Sequence, residues 1–553
     1  MRRHLTGAIA LAAAATLALT ACSGGGGSSA EKTGSTGGTL TILTSATQIN
    51  LDPAKSQNLA ITTLGLIERR LTTWDIQKGK DPKVVPDLAT DTGTVSDDGK
   101  TWTYTLKDGL KFADGTPITS EDIKYGIERS FAPELSGGLG YHKSLLVGGE
   151  DYKGPYTDGD LDSIETPDDK TIVFHLNSSY GDWPWIVSMP AFAPVPKDKD
   201  DPKTYGDDPV ATGPYKVSSN KQGTALELVR NTEWDKSTDS VRTAGPDKII
   251  FKESQDVSTS TQSLITDAGS AKTSFLATYL GAAELALVNK NPSAKERLAT
   301  SDAGPINYLA MNTQRGALKD LKVRQAIEYA VDPKAFIIAQ GGSQAAIRAT
   351  TLITPGIPGR QEYDLYPSGD DGDVAKAKQL LQEAGHSDDL NLVLWAANDS
   401  SSQAQAQALE QGIERAGIKV TIKPLDINTM YTDATGDNPD YDLILGGWQP
   451  DFPSANGNIQ PLFDSSQIGG GGYNLARYSN SEVDGLIDQA TAATDPAQAQ
   501  SLWAQADKRI MQDAPVVPLT YSKQSFLAGS DVENFFIASF PAYPNYLTVT
   551  LKQ

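Results

Sequence analysis

Apolar and polar residues alternate strictly along Thr101-Trp102-Thr103-Tyr104-Thr105-Leu106. Trp102, Tyr104 and Leu106 therefore share one face, the period of a strand packed on one side. The preceding Ser96-Asp97-Asp98-Gly99-Lys100 supplies turn chemistry. Another strand opens at Gly38-Thr39-Leu40-Thr41-Ile42. Elsewhere the period lengthens to that of a helix. Val374, Ala377, Leu380, Leu381 and Ala384 fall on one face, between Asp373 at the N-cap position and Gly385 where a C-cap is expected. Val323, Ala326, Ile327 and Ala330 form a second stripe, and Thr119-Ser120-Glu121-Asp122 offers a hydroxyl cap with acids in the first turn. The stripes read as core packing. Strands and helices mixed along a long chain without a repeat predict an α/β or α+β protein of several domain-sized units.

The N-terminus follows a different pattern. Basic residues in Met1 to His4 precede an almost unbroken apolar run from Ala8 to Leu19. That is short of the roughly 20 residues that span a bilayer core, so it reads as an export signal over residues 1–21. The run ends in Leu19-Thr20-Ala21-Cys22, and Cys22 is the only cysteine in the chain. This resembles the bacterial lipoprotein signal, in which the cysteine is lipidated and becomes the new N-terminus. Of the residues from Ser23 to Gly38, 13 of 16 are Gly, Ser or Thr. Residues 22–38 are thus expected to be a lipidated flexible tether. The protein is expected outside the cytoplasm, lipid-anchored to the outer face of the cell membrane.

Composition narrows the chemistry. Among 553 residues, 69 are acidic and 48 basic, for a net charge of −21. A surface of that sign does not suit phosphate neutralisation, so no nucleic-acid partner is expected. Four histidines and one cysteine cannot build a disulfide framework or a Cys/His zinc cluster. No phosphate-binding loop is present: the glycines Gly469 to Gly472 lead into Tyr473 and not into a lysine. Neither an H-E-x-x-H nor a G-x-S-x-G motif occurs. No catalytic residue, metal or cofactor is assigned. Paired carboxylates for glycoside hydrolysis remain open, because no local motif singles out two of the acids.

Motifs in order along the chain then carry a specific resemblance. They include Leu51-Asp52-Pro53, Pro86-Asp87-Leu88-Ala89, the long stretch from Asp97 to Arg129 (DDGKTWTYTLKDGLKFADGTPITSEDIKYGIER), Thr212-Gly213-Pro214-Tyr215, Arg230-Asn231 and Tyr308-Leu309-Ala310-Met311-Asn312. Later come VRQAIEYAVD from Val323, GGWQPDFP from Gly446 and DAPVVPLTY from Asp513. From about Gly38 to the C-terminus the chain resembles the extracytoplasmic solute-binding proteins of ABC importers, family 5, the peptide-binding group. The resemblance implies an α/β clamshell of the periplasmic-binding-protein type II, with two lobes and an extra subdomain. Lobe I would span 38–305, with the subdomain at about 68–205, and return at 519–553. Lobe II would be 306–518, and the crossings between lobes would lie near Tyr308–Asn312 and Pro515–Tyr521.

The implied function is capture of small peptides or similar solutes in a cleft, with delivery to the transmembrane subunits of an ABC permease by a monomeric receptor. A membrane-anchored hydrolase is the alternative. In peptide-binding members, an aspartate in the segment G-W-x-x-D-[YF] pairs with the ligand's α-ammonium group. Here that position is Asp451, with Gly447 and Trp448 beside it; Tyr473, Asn474 and Thr47 to Asn50 are further cleft candidates. The acid and proline that often follow the aspartate are replaced by Ser454 and Ala455.

Overall fold

The computed structural model describes residues 37–386 and 390–552. Cys22, the expected signal and nearly all of the expected tether lie outside the described residues. Three sheets organise the body. The first has five strands in the spatial order Ser274–Leu276, Thr39–Leu43, Lys248–Lys252, Ala225–Arg230, Tyr215–Lys221. Its opening strand is the GTLTI segment read from sequence, parallel to both neighbours.

The second sheet has six strands, ordered Ala346–Arg348, Val516–Ser522, Ile306–Met311, Leu443–Trp448, Asn391–Ala397, Lys419–Leu425. The two segments expected to cross between lobes are thus neighbouring antiparallel strands, from Ile306 opposite Tyr521 to Ala310 opposite Val516. The register shifts between Asn307 and Tyr308, where Pro518 stands opposite Tyr308. Proline has no N–H to donate, and a bulge is where a ladder tolerates that loss.

The third sheet is an antiparallel set of Thr94–Val95, Thr101–Thr105, Thr171–His175 and Ile164–Asp168. Trp102, Tyr104 and Leu106 are buried while the threonines between them stay at the surface side. The helix Ser120–Arg129 starts in a capping box, with the Asp122 carboxylate accepting from the Thr119 N–H at 2.8 Å and the Thr119 hydroxyl accepting from Asp122 N–H. Val374–Glu383 is capped by Asp373 and buries Ala377, Leu380 and Leu381; Gly385 beyond it has φ +84°. Val323, Ala326, Ile327 and Ala330 are fully buried.

The ordered motifs acquire physical meaning here as buried polar joints. Asp87 accepts from Arg69 Nε at 2.7 Å and from both terminal nitrogens of Arg242, at 3.1 and 3.0 Å. Asp239 adds a second carboxylate on Arg242, at 3.0 Å. Asp52 takes Arg129 at 3.1 and 3.3 Å, and Asp200 takes the same guanidinium at 2.8 Å. Thr212 Oγ1 accepts the Arg69 N–H, and the Asn231 amide donates to Gly213 O. Arg69, Asp87, Arg242, Asp52 and Arg129 are all at most 2% exposed, so each charge depends on its partner. Among the described residues no helix is long and apolar enough to cross a membrane.

Candidate ligand-binding site

The candidate site begins at the end of strand Leu443–Trp448. Gly446 lies opposite Tyr308, and a Cβ placed there would come within 2.9 Å of the Tyr308 ring. Glycine lets that buried ring lie across the strand. After Trp448 the chain leaves the ladder through Gln449-Pro450, and Asp451 follows in a loop ahead of the helix Asn456–Phe463.

Asp451 is half-buried, and its Oδ2 accepts a hydrogen bond from Tyr141 Oη at 2.6 Å. The Tyr141 ring stands edge-on to Phe452, with centroids 5.6 Å apart. Burial raises the Asp451 carboxyl above the ordinary aspartate range, and the bond from Tyr141 opposes that shift in part. Burial, the Asp451 charge and the shared bond push the Tyr141 phenol up. Among the described residues no lysine or arginine pairs with Asp451. A desolvated carboxylate held by one neutral hydroxyl is suited to a cation from outside the protein.

Trp448 packs on Tyr473 with centroids 5.3 Å apart, and its indole N–H donates to Gly457 O at 2.6 Å. Tyr473 is 42% exposed and has Tyr431 on its other side at 6.3 Å. The Tyr431 hydroxyl in turn accepts from the Gly447 N–H. Trp448, Tyr473 and Tyr431 thus form one aromatic cluster at the end of the strand that leads to Asp451, with Gly447 tied to it through Tyr431. Asn474 is placed differently. It is 2% exposed, its amide donates to Asp464 O and Tyr478 O, and its oxygen accepts from Tyr478 N–H. The local turn uses all of its polar atoms.

Across from this strand end lies a groove of about 670 Å³. Residues 44–46, 48–50, 55–59, 62 and 63 line it with Thr278 and Tyr279, Thr47 is not part of the lining, and Gln449 enters it from the segment that follows Trp448. Asn50 lines the groove, although its side chain closes a local turn, accepting from Asp52 N–H and donating to Lys55 O, both at 3.0 Å. Most of the lining residues carry an amide or a hydroxyl group, although apolar atoms make up the larger share of the exposed surface. Its one basic residue, Lys55, donates to Pro202 O at 3.1 Å.

Sequence reasoning singled out neither Tyr141 nor Gln449. Tyr141 lies 310 positions from Asp451, and no local pattern announces a partner at that range. Gln449 stood inside the quoted motif, but nothing distinguished it from its neighbours. The replacement of the expected acid by Ser454 has a structural counterpart. The Ser454 hydroxyl donates to Asp182 Oδ2 at 2.8 Å, a position where a second carboxylate would face the first.

Known proteins share this fold. Residues 83–470 match the model described as "Bacterial extracellular solute-binding proteins, family 5 Middle". The glutathione-binding protein GsiB of Shigella dysenteriae is 28% identical over 453 residues, covering 80% of this chain and 82% of that protein. Among solved structures, clavulanic acid biosynthesis oligopeptide binding protein 2 is 32% identical with a TM-score of 0.84, covering 94% of this chain and 96% of its own. The periplasmic murein tripeptide binding protein MppA, in its unliganded open form, shares the fold at a TM-score of 0.76 and 20% identity, covering 93% of this chain and 98% of its own. The expected α/β type II binding-protein fold is thereby established, and the chain belongs to the bacterial extracellular solute-binding proteins of family 5.

Proposed function

We propose that this solute-binding protein of an ABC transporter takes small peptides or similar amine-bearing solutes, with Asp451 pairing to the ligand's ammonium group. The single observation that carries this reading is the state of Asp451. It is a half-buried carboxylate with Tyr141 as its neutral partner, two residues from a side chain that lines a 670 Å³ groove. Amide and hydroxyl groups along that groove suit the main chain of an extended peptide, whose N–H and C=O groups need neutral partners. The names of two relatives point the same way, one as a glutathione-binding and one as an oligopeptide-binding protein.

In this reading the ligand stabilises the arrangement in which both walls touch it, and the permease recognises that arrangement. Trp448 and Tyr473 offer flat apolar contact next to the ammonium, including a cation–π contribution. Lipidation at Cys22 and the tether at 22–38 keep the receptor at the membrane that holds the permease. Native mass spectrometry of protein purified from its source tests the proposal. A retained ligand with a free amino group, at one per chain, is the expected result. A ligand without an amine, or steady turnover of a peptide or glycan panel by the purified protein, would overturn it.

A further inference from the structure

The segment Gln449 to Ala455 separates two spaces. Gln449 faces the groove described above, whereas Pro453, Ser454 and Ala455 form part of the wall of a second cavity of about 510 Å³. That volume lies in the range of small-molecule sites. Trp102 from the four-stranded sheet, Trp185, and Trp503 from the helix Pro496–Asp513 supply aromatic walls, and Pro184 and Ala499 extend the apolar surface. One carboxylate, Asp182, lies in the lining.

Among the described residues Asp182 has neutral partners only. Ser454 Oγ donates to it at 2.8 Å, and the Asn456 side chain also bonds it. Asn456 is held in turn by Tyr180 Oη at 3.1 Å. Lys83, the one basic residue of the lining, is exposed, and among the described residues no ion pair joins it to Asp182. Burial pushes the Asp182 carboxyl up to about 6, so at neutral pH the site holds a largely ionised group under a desolvation cost that a bound cation would relieve. The aromatic and proline surfaces leave room for an apolar body but offer it little hydrogen bonding.

We propose that this cavity is a second binding site, distinct from the peptide groove, for a small primary amine with an aromatic or apolar body, its ammonium on Asp182 and its ring among Trp102, Trp185 and Trp503. The reading does not depend on the identity of the groove ligand, because Asp182 lines this cavity and the groove shares none of its lining residues.

Phenethylamine is the probe, with 2-phenylethanol as its uncharged counterpart, titrated into the full-length protein while tryptophan fluorescence and heat are recorded. Phenethylamine should bind at least tenfold more tightly than the alcohol. Asp182→Asn should weaken it at least tenfold, and Ala499→Trp, which adds bulk from the helix wall and leaves the Asp182 carboxylate in place, should abolish binding. Asp451→Asn removes any share of the probe held at the groove site, and the binding that depends on Asp182 should persist in it. If Asp182→Asn leaves affinity unchanged, the amine assignment is wrong; if only Asp451→Asn removes binding, the probe occupies the groove and the second site does not exist. Absence of saturable binding to the wild-type protein up to millimolar probe also overturns the proposal.

Discussion

Removing the Asp87 carboxylate should be among the most destabilising single changes in this protein. Asp87 holds Arg69 at 2.7 Å and Arg242 at 3.0 Å, and all three side chains are at most 2% exposed. In Asp87→Ala, Asp239 would be left to serve both guanidinium groups, at 3.0 Å from Arg242 and 3.7 Å from Arg69. Two buried cations would then share one carboxylate, with the Lys107 ammonium close by, donating to Asp87 O at 2.7 Å. Breaking a buried pair by removing one partner costs about 3–5 kcal/mol, and the doubly used Asp87 belongs at the upper end of that range. With m of about 3 kcal/mol/M in urea, the unfolding midpoint should fall by about 1.3–1.7 M. Tryptophan fluorescence and far-UV circular dichroism should report the same midpoint, which checks that the transition is cooperative. The control is Asp108→Ala, which removes the surface partner of Lys170; an exposed pair contributes little, so its midpoint should not move measurably. If Asp87→Ala and Asp108→Ala behaved alike, the account of the motifs as buried charge joints would be wrong.

Three further outcomes follow from particular contacts. Burial raises Asp507 to about 6 although Tyr363 and two backbone N–H groups bond it. A folded-state value above the unfolded one means the unfolded chain releases its proton first as pH rises. This contribution to stability is therefore full below about pH 4 and lost as pH rises through about 6, and Asp507→Asn should flatten the fall in urea midpoint between pH 4.5 and 7. Gly446→Ala should lower stability by about 1–3 kcal/mol in the same assay, because the added Cβ meets the buried Tyr308 ring at 2.9 Å. Tyr141→Phe removes the bond that favours the charged form of Asp451. Affinity for an amine-bearing peptide, followed by calorimetry from pH 7 downward, should then begin to fall at a higher pH than in the wild type; identical profiles would sever Tyr141 from ligand binding.

Much of the fold was legible because its signals are local. The alternation at Thr101 to Leu106 and the stripe at Val323 to Ala330 each specify a buried face within a few residues. The caps at Thr119 and Asp373 mark helix starts in the same way. The resemblance quoted Asp451 and Trp448 on one segment, in which Trp448 ends the strand and Asp451 follows in the loop. What stayed hidden depends on long-range closure. Tyr141 reaches Asp451, Asp182 reaches Ser454, and Asp87 reaches Arg242 across separations of 310, 272 and 155 positions. Asn474 shows the opposite limit. It was placed near the cleft by its position after the glycine run, but its amide is used by Asp464 and Tyr478. A side chain's spare hydrogen-bonding capacity depends on its surroundings and cannot be read from its neighbours in sequence.

The pairing of Asp451 with a ligand ammonium is tested most directly by a calorimetric cycle. A peptide that binds the wild-type protein is titrated in free and N-acetylated forms into wild type and Asp451→Asn. A charge-assisted hydrogen bond contributes about 1.5–3 kcal/mol, so the substitution should weaken the free peptide by roughly 10- to 150-fold, and acetylation should weaken wild-type binding by a similar factor. The acetylated peptide should bind both proteins equally. Unchanged affinity of Asp451→Asn for the free peptide would contradict the assignment.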